Sequence, residues 1–175
     1  FGGFNIFKFE KNENVSIKKL NIKKENLNTL YSSILMFWTG ITRSSEKILN
    51  NQQQNNKVNN SLLLEMREQV DYLGKLLESK EISLKDIGKL ISNGWDLKKR
   101  LSPLISNEKI DNVYNQAINA GAYGGKILGA GGGGFLMLIV EPSSKKEIIS
   151  RIESMGFKYY NFGFDFEGTK VLDIE

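Results

Sequence analysis

Gly124-Gly125-Lys126-Ile127-Leu128-Gly129-Ala130-Gly131-Gly132-Gly133-Gly134-Phe135 decides how the chain is read, because seven of these twelve residues are glycine. Glycine loses more conformational freedom on folding than any other residue, so a ribbon this dense implies a need for backbone without side chains. Gly129-x-Gly131-x-x-Gly134 has the spacing of a dinucleotide fingerprint, but that motif follows a strand and opens a helix. Here a helical pattern precedes and the apolar run Phe135–Val140 follows. A Walker A loop is excluded too, since Phe135-Leu136 stand where Lys and Ser/Thr are required. Three readings stay open: amides converging on an anion with Lys126 adding charge, a loop packed tightly on another loop, or a helix-to-strand hinge with several positive φ angles.

Upstream of the ribbon, Asn107 caps a helix whose Ile110, Val113, Tyr114, Ala117 and Ile118 follow the core-facing template, ending at Gly121. Before it, Ser83-Leu84-Lys85-Asp86 has capping-box form and opens a helix closed by Pro103. Leu62, Met66, Val70, Leu73, Leu76 and Leu77 lay one apolar face along another helix. The Asn/Gln tract Asn50–Asn60 has little to bury and reads as a frayed helix or mobile loop, behind a helix start at Ser44 or Ser45. Phe4–Glu10 and Val15–Ile22 read as a hairpin and Leu30–Trp38 as a third strand.

Downstream, Phe135–Val140 is a central strand, and Ser144-x-x-Glu147 opens a helix closed by Gly156. Tyr160, Phe162, Phe164 and Phe166 alternate with polar residues as in a strand with one aromatic, core-facing side, and Lys170–Ile174 is a last short strand. The sum is an α+β domain, a mainly antiparallel sheet with helices packed on one face.

At 175 residues the chain supports one sizeable core. With no Cys and no His, neither disulfides nor the usual transition-metal ligands and general base are available. Chemistry must run on carboxylates, Lys, Arg, hydroxyls or backbone amides. The net charge of +4 is spread out and suits an anionic metabolite as well as nucleic acid. The apolar runs fall far short of the roughly 20 residues that span a bilayer. These features suggest a soluble cytoplasmic protein without a membrane partner. A basic α+β domain with an aromatic strand could also stack RNA bases, but Phe162-Gly163-Phe164 lacks the basic-Gly-aromatic-Gly context, which argues against a nucleic-acid partner. A plain interaction domain would leave the glycine ribbon without a ligand.

Residues 126–135, Lys-Ile-Leu-Gly-Ala-Gly-Gly-Gly-Gly-Phe, resemble the third motif of the GHMP kinases, the superfamily of galactokinase, mevalonate kinase and homoserine kinase. Further landmarks, Phe1-Gly2-Gly3-Phe4-Asn5, Thr39-Gly40-Ile41-Thr42-Arg43-Ser44, Trp95-x-Leu97-Lys98, Ser106-Asn107 and Gly121-Ala122-x-Gly124-Gly125-Lys126, resemble the D-glycero-D-manno-heptose-7-phosphate kinases. The resemblance implies a GHMP kinase C-terminal domain over residues 1–175, with the 1–22 hairpin left from a preceding N-terminal domain. It implies transfer of the γ-phosphate of ATP, with Mg²⁺, to the anomeric hydroxyl of heptose 7-phosphate, for nucleotide-activated heptose and surface polysaccharide. A fucokinase-like sugar kinase shares the glycine motif.

That resemblance also implies an ATP-phosphate loop and an Asp base ahead of Phe-Gly-Gly, neither of which this sequence contains. No catalytic residue is therefore assigned, and the chain is expected to be inactive alone and to work with its own N-terminal domain. The candidate substrate- or phosphate-binding residues are Lys126, Gly129, Ala130, Gly131, Gly132, Gly133, Gly134, Arg43 and Thr39. Arg43 could grip a phosphate bidentately. Trp38 and Trp95 are read as core.

Overall fold

The computed structural model describes residues 1–54 and 59–171. A four-stranded antiparallel sheet, in the order β4(Gly124–Ile127)-β5(Phe135–Ile139)-β3(Ile34–Trp38)-β6(Lys158–Tyr160), forms its centre. Ile34 faces Ile139, Trp38 faces Phe135 and Lys126 faces Met137. Because side chains alternate along a strand, Leu35, Phe37, Leu136 and Leu138 all enter one cluster and are fully buried. Each such side chain contributes about 1.5–3 kcal/mol. The helices α5(Glu108–Asn119) and α6(Lys145–Ser154) close over that face with Ile110, Val113, Ala117, Ile148 and Ile152. The α+β class and the antiparallel sheet agree with the sequence reading, but helices cover both faces of the sheet, not one.

On the opposite face Ile34 and Ile139 meet Leu30, Leu77, Ile82 and Ile87. These come from α1(Lys24–Ser33), α3(Asn60–Leu77), α4(Leu84–Leu101) and the α3–α4 connection. The helix α4 lies directly on the edge strand β4. A Cβ at Gly124 would sit 1.9 Å from the Gly88 carbonyl oxygen, so the two backbones touch. This contact fixes how far along the sheet the C-terminal turns of α4 reach.

The caps of α4 and α5 form as their sequences specify: Asp86 N–H donates to Ser83 Oγ at 3.2 Å, and Ile110 N–H donates to Asn107 Oδ1 at 3.1 Å. The hairpin β1(Asn5–Phe9)–β2(Val15–Lys19) also forms, as a separate two-stranded sheet. Its end is tied to α3 by Glu78, which accepts from Asn21 N–H at 2.9 Å and from Lys18 Nζ at 3.2 Å.

Several expectations are corrected. Leu30–Trp38 is not one strand: α1 runs to Ser33 and β3 begins at Ile34 with no loop between. The Ser32 and Ser33 hydroxyls both donate back to the Thr29 carbonyl in the last turn of α1. The glycine stretch is not loop throughout, since residues 124–127 form edge strand β4. The aromatic segment is a strand only at Lys158–Tyr160. Beyond Tyr160, which faces Met36, the ladder stops short of the β3 start at Ile34, and Phe162 packs instead on Tyr31, whose hydroxyl donates to the Phe162 carbonyl. Lys170 and Val171 form no strand, and 172–174 lie outside the described residues. The helix α6 is not opened by a Ser144 capping box; it follows a 3-10 turn, Pro142–Ser144, with no side-chain cap. In the Asn/Gln tract, α2(Ser45–Gln54) continues through residue 54, Asn59 is buried and donates to the Leu101 carbonyl, and 55–58 lie outside the described residues.

Gly124→Ala should destabilise the fold by about 1–3 kcal/mol through the clash with the Gly88 carbonyl, read as a lower urea midpoint. Gly163→Ala, whose Cβ would meet nothing within 4 Å, should stay within about 0.5 kcal/mol of the parent. Equal effects would contradict the contact.

Candidate functional site

Between β4 and β5 the ribbon Leu128–Gly134 folds back over the segment that follows β3. Its middle is held by main chain. Gly132 N–H donates to the Ile105 carbonyl at 2.6 Å and Gly134 N–H to the Ile41 carbonyl at 2.9 Å, while Thr39 N–H donates to the Gly134 carbonyl at 2.9 Å. There is no room for side chains at the centre. A Cβ at Gly133 would lie 2.4 Å from the Ile41 carbonyl oxygen, and one at Gly132, where φ is +73°, would lie 2.8 Å from that of Leu104 and 3.0 Å from Arg43 Cδ. Tight loop-on-loop packing therefore accounts for these two glycines.

It does not account for the amides left over. Those of Gly129, Ala130, Gly131 and Gly133 have no hydrogen-bond partner among the described residues. Beside them opens a cleft of about 240 Å³. It is lined by Gly129, Ala130, Gly131, Gly133 and Gly134 with Arg43, and also by Trp38, Ile41, Thr42, Ser45 and Leu128. The ribbon and Arg43, far apart in sequence, thus share one cavity, while Gly132 sits buried behind it against the Arg43 stem. Free amides beside a guanidinium fit an anion. They do not fit a divalent cation: no carboxylate lines the cleft, and among the described residues no group of three or more His, Cys, Asp or Glu could hold a metal ion.

Two candidates lie elsewhere. Thr39 is fully buried, and its Oγ1 accepts from Ile41 N–H at 3.2 Å, so it shapes the turn that carries Arg43. Lys126 lies on β4 and lines a second depression of about 340 Å³, with Leu128 as the wall common to both. This groove explains a departure on α3. Met66 and Leu73 of the expected apolar face pack against the core clusters, but Val70, which flanks the groove with Leu90 and Ile91 of α4, is left 44% exposed.

Sequence reasoning missed Trp38, Thr42 and Ser45 as cleft residues. It assigned Trp38 to the core, whereas its ring packs at a tilt against Phe135, 5.2 Å between centroids, and borders the cleft. It also gave Lys98 no role. The Lys98 ammonium donates to the Gly129 carbonyl, binding α4 to the ribbon. The signal was present in Trp95-x-Leu97-Lys98, the one polar member of that landmark, but only the tertiary contact gives it meaning.

Burial, and then the neighbouring charge of Lys126, lower the pKa of Lys98 from 10.5 to about 8. Burial lowers that of Lys126 as well. In the unfolded chain a lysine holds its proton to about pH 10.4. From about pH 8 to about pH 10 the unfolded state therefore binds more protons than the folded one, and stability rises with pH across that window. Lys98→Met should flatten much of this rise in urea midpoint, leaving the part due to Lys126. An unaltered slope would contradict the assignment.

Residues 75–158 match the family described as GHMP kinases C terminal. A D-glycero-alpha-D-manno-heptose 7-phosphate kinase of Campylobacter jejuni is 31% identical over 178 residues, covering 99% of this chain and 51% of its own length. A bifunctional fucokinase/GDP-fucose pyrophosphorylase of Arabidopsis thaliana is 27% identical over 146 residues, 78% of this chain and 13% of that protein. The crystal structure of Methanococcus jannaschii mevalonate kinase superposes with a TM-score of 0.66 at 24% identity, over 83% of this chain and 43% of that one, a likeness of fold. The chain thus spans about half the length of the heptose kinase and less of the others. No helix among the described residues is long and apolar enough to cross a membrane. With its antiparallel sheet, its glycine ribbon and these likenesses, the chain carries a GHMP kinase C-terminal domain, matched over residues 75–158.

Proposed function

We propose that this chain is the substrate-side part of an ATP-dependent sugar kinase that phosphorylates the anomeric hydroxyl of D-glycero-D-manno-heptose 7-phosphate, a step toward nucleotide-activated heptose. The observation that carries the reading is the cleft in which Arg43 and the unpaired ribbon amides meet, in a chain whose 31% identical relative is a kinase of that sugar phosphate.

Phosphoryl transfer depends mainly on positioning and on neutralising charge on the transferring and bound phosphates. ATP with Mg²⁺ supplies the phosphoryl group when bound. This chain contributes anion recognition: the amides of Ala130, Gly131 and Gly133 donate, and Arg43 grips in a planar fork. Trp38, on the cleft wall, offers a ring face to the sugar. The base and the carboxylates for Mg²⁺ come from a preceding N-terminal domain, of which the 1–22 hairpin is the last piece, and the enzyme works in the cytoplasm. Taken alone, the chain transfers no phosphate.

A second reading, a fucokinase-like sugar kinase, is favoured by the Arabidopsis relative, whose match covers 78% of this chain. One assay separates the two. The protein containing this chain together with an N-terminal kinase domain is given ATP and a panel including heptose 7-phosphate, mannose 6-phosphate and fucose. Turnover of heptose 7-phosphate, lost in this chain alone and reduced about 10- to 100-fold in kcat/KM by Arg43→Ala, is the expected result. Turnover of fucose alone would select the second reading, and inertness toward every sugar would end both.

A further inference from the structure

We propose that Lys98 of α4 and Lys126 of β4 together form an anion subsite that takes a phosphate monoester where α4, β4 and the glycine ribbon meet. That the phosphate arrives on a sugar or a nucleotide rests on the kinase reading above; the subsite itself does not.

The geometry begins with Gly94, which lines the groove beside Lys126 and Leu128. Lys98 lies one turn further along α4, on the same side of the helix. Its ammonium spends one of three donors on the Gly129 carbonyl, which leaves two. The Lys126 ammonium has no hydrogen-bond or ion-pair partner among the described residues. Lys98 likewise has no ion-pair partner among them, whereas its neighbour Lys99 reaches Asp96 at 3.1 Å and Asp111 at 3.7 Å.

The surroundings supply no counter-charge. Toward the groove α3 presents Met66, Gln69, Val70 and Leu73, none of them charged. From α5, Asp111 is taken up by Lys99 and by the Ser106 hydroxyl at 2.8 Å. The ribbon side offers main chain. Burial disfavours the charged form of both lysines, and at Lys98 the neighbouring charge of Lys126 adds to it, with no carboxylate among the described residues to offset either. The lowered pKa of Lys98, near 8, is the consequence. A doubly charged phosphate would reverse this by pairing with both ammonium groups.

The test follows the lysine side chains of this chain by NMR, with inorganic phosphate titrated in from pH 6 to 10. Phosphate should raise the Lys98 pKa by about a unit or more, since an opposite charge at contact favours the ammonium form. Lys126→Met should weaken phosphate at least about tenfold and remove most of the upshift, and Lys98→Gln should weaken it by as much. Lys98→Arg, which keeps the charge, should retain binding within about threefold. An unmoved Lys98 titration, or wild-type affinity in Lys126→Met, overturns the proposal even if Lys98→Gln fails to fold. Parallel titrations with mannose 6-phosphate and a nonhydrolysable ATP analogue show which carrier gains over inorganic phosphate. A protein inert as a kinase whose Lys98 still responds to phosphate would end the kinase reading and leave this subsite standing; an active kinase whose Lys98 is blind to phosphate would do the reverse.

Discussion

Everything at this site depends on how closely two pieces of main chain approach each other. The ribbon centre rests on the carbonyls of Ile41 and Leu104, at a separation that excludes a methyl group at Gly132 and Gly133. Because the contact is backbone on backbone, it has few ways to relax, and interiors this close-packed transmit displacement rather than absorb it. Arg43 leaves the chain two residues after Ile41, with its Cδ against the space a Gly132 side chain would fill. The position of the guanidinium stem and the path of the free amides are therefore set by one contact.

A second backbone contact sets the other wall. Gly88 on Gly124 seats α4 against β4, and three turns along that helix Lys98 reaches the Gly129 carbonyl. The ribbon is thus pinned from both sides, by the turn after β3 and by the last turns of α4. The apolar clusters on the two faces of the sheet hold these elements in place. They need no special chemistry to do so, which leaves the polar and cationic groups of the rim free for a ligand.

Much of the fold was legible in the sequence, for physical reasons that differ by element. The helices α4 and α5 announced themselves through side-chain caps at Ser83 and Asn107, which are local interactions. The strand β5 showed as an unbroken apolar run because both its faces are covered. The boundary between α1 and β3 was hidden because no loop residue separates Ser33 from Ile34. The aromatic tail kept its alternation but lost its ladder, since whether an extended segment becomes a strand depends on a partner that local sequence does not reveal. At the site, the ribbon and Arg43 could be named from composition and motif. Lys98 and the cleft side of Trp38 could not, because their roles arise only where distant segments meet.

The most direct measurement is amide NMR of the ribbon during a titration with heptose 7-phosphate. If unpaired donors exist to close on negative charge, the amide signals of Ala130, Gly131 and Gly133 should move strongly with ligand, while Gly132 and Gly134, already bonded to Ile105 and Ile41, should move little. Uniform small shifts, or larger shifts at the bonded pair than at the free amides, would contradict the account.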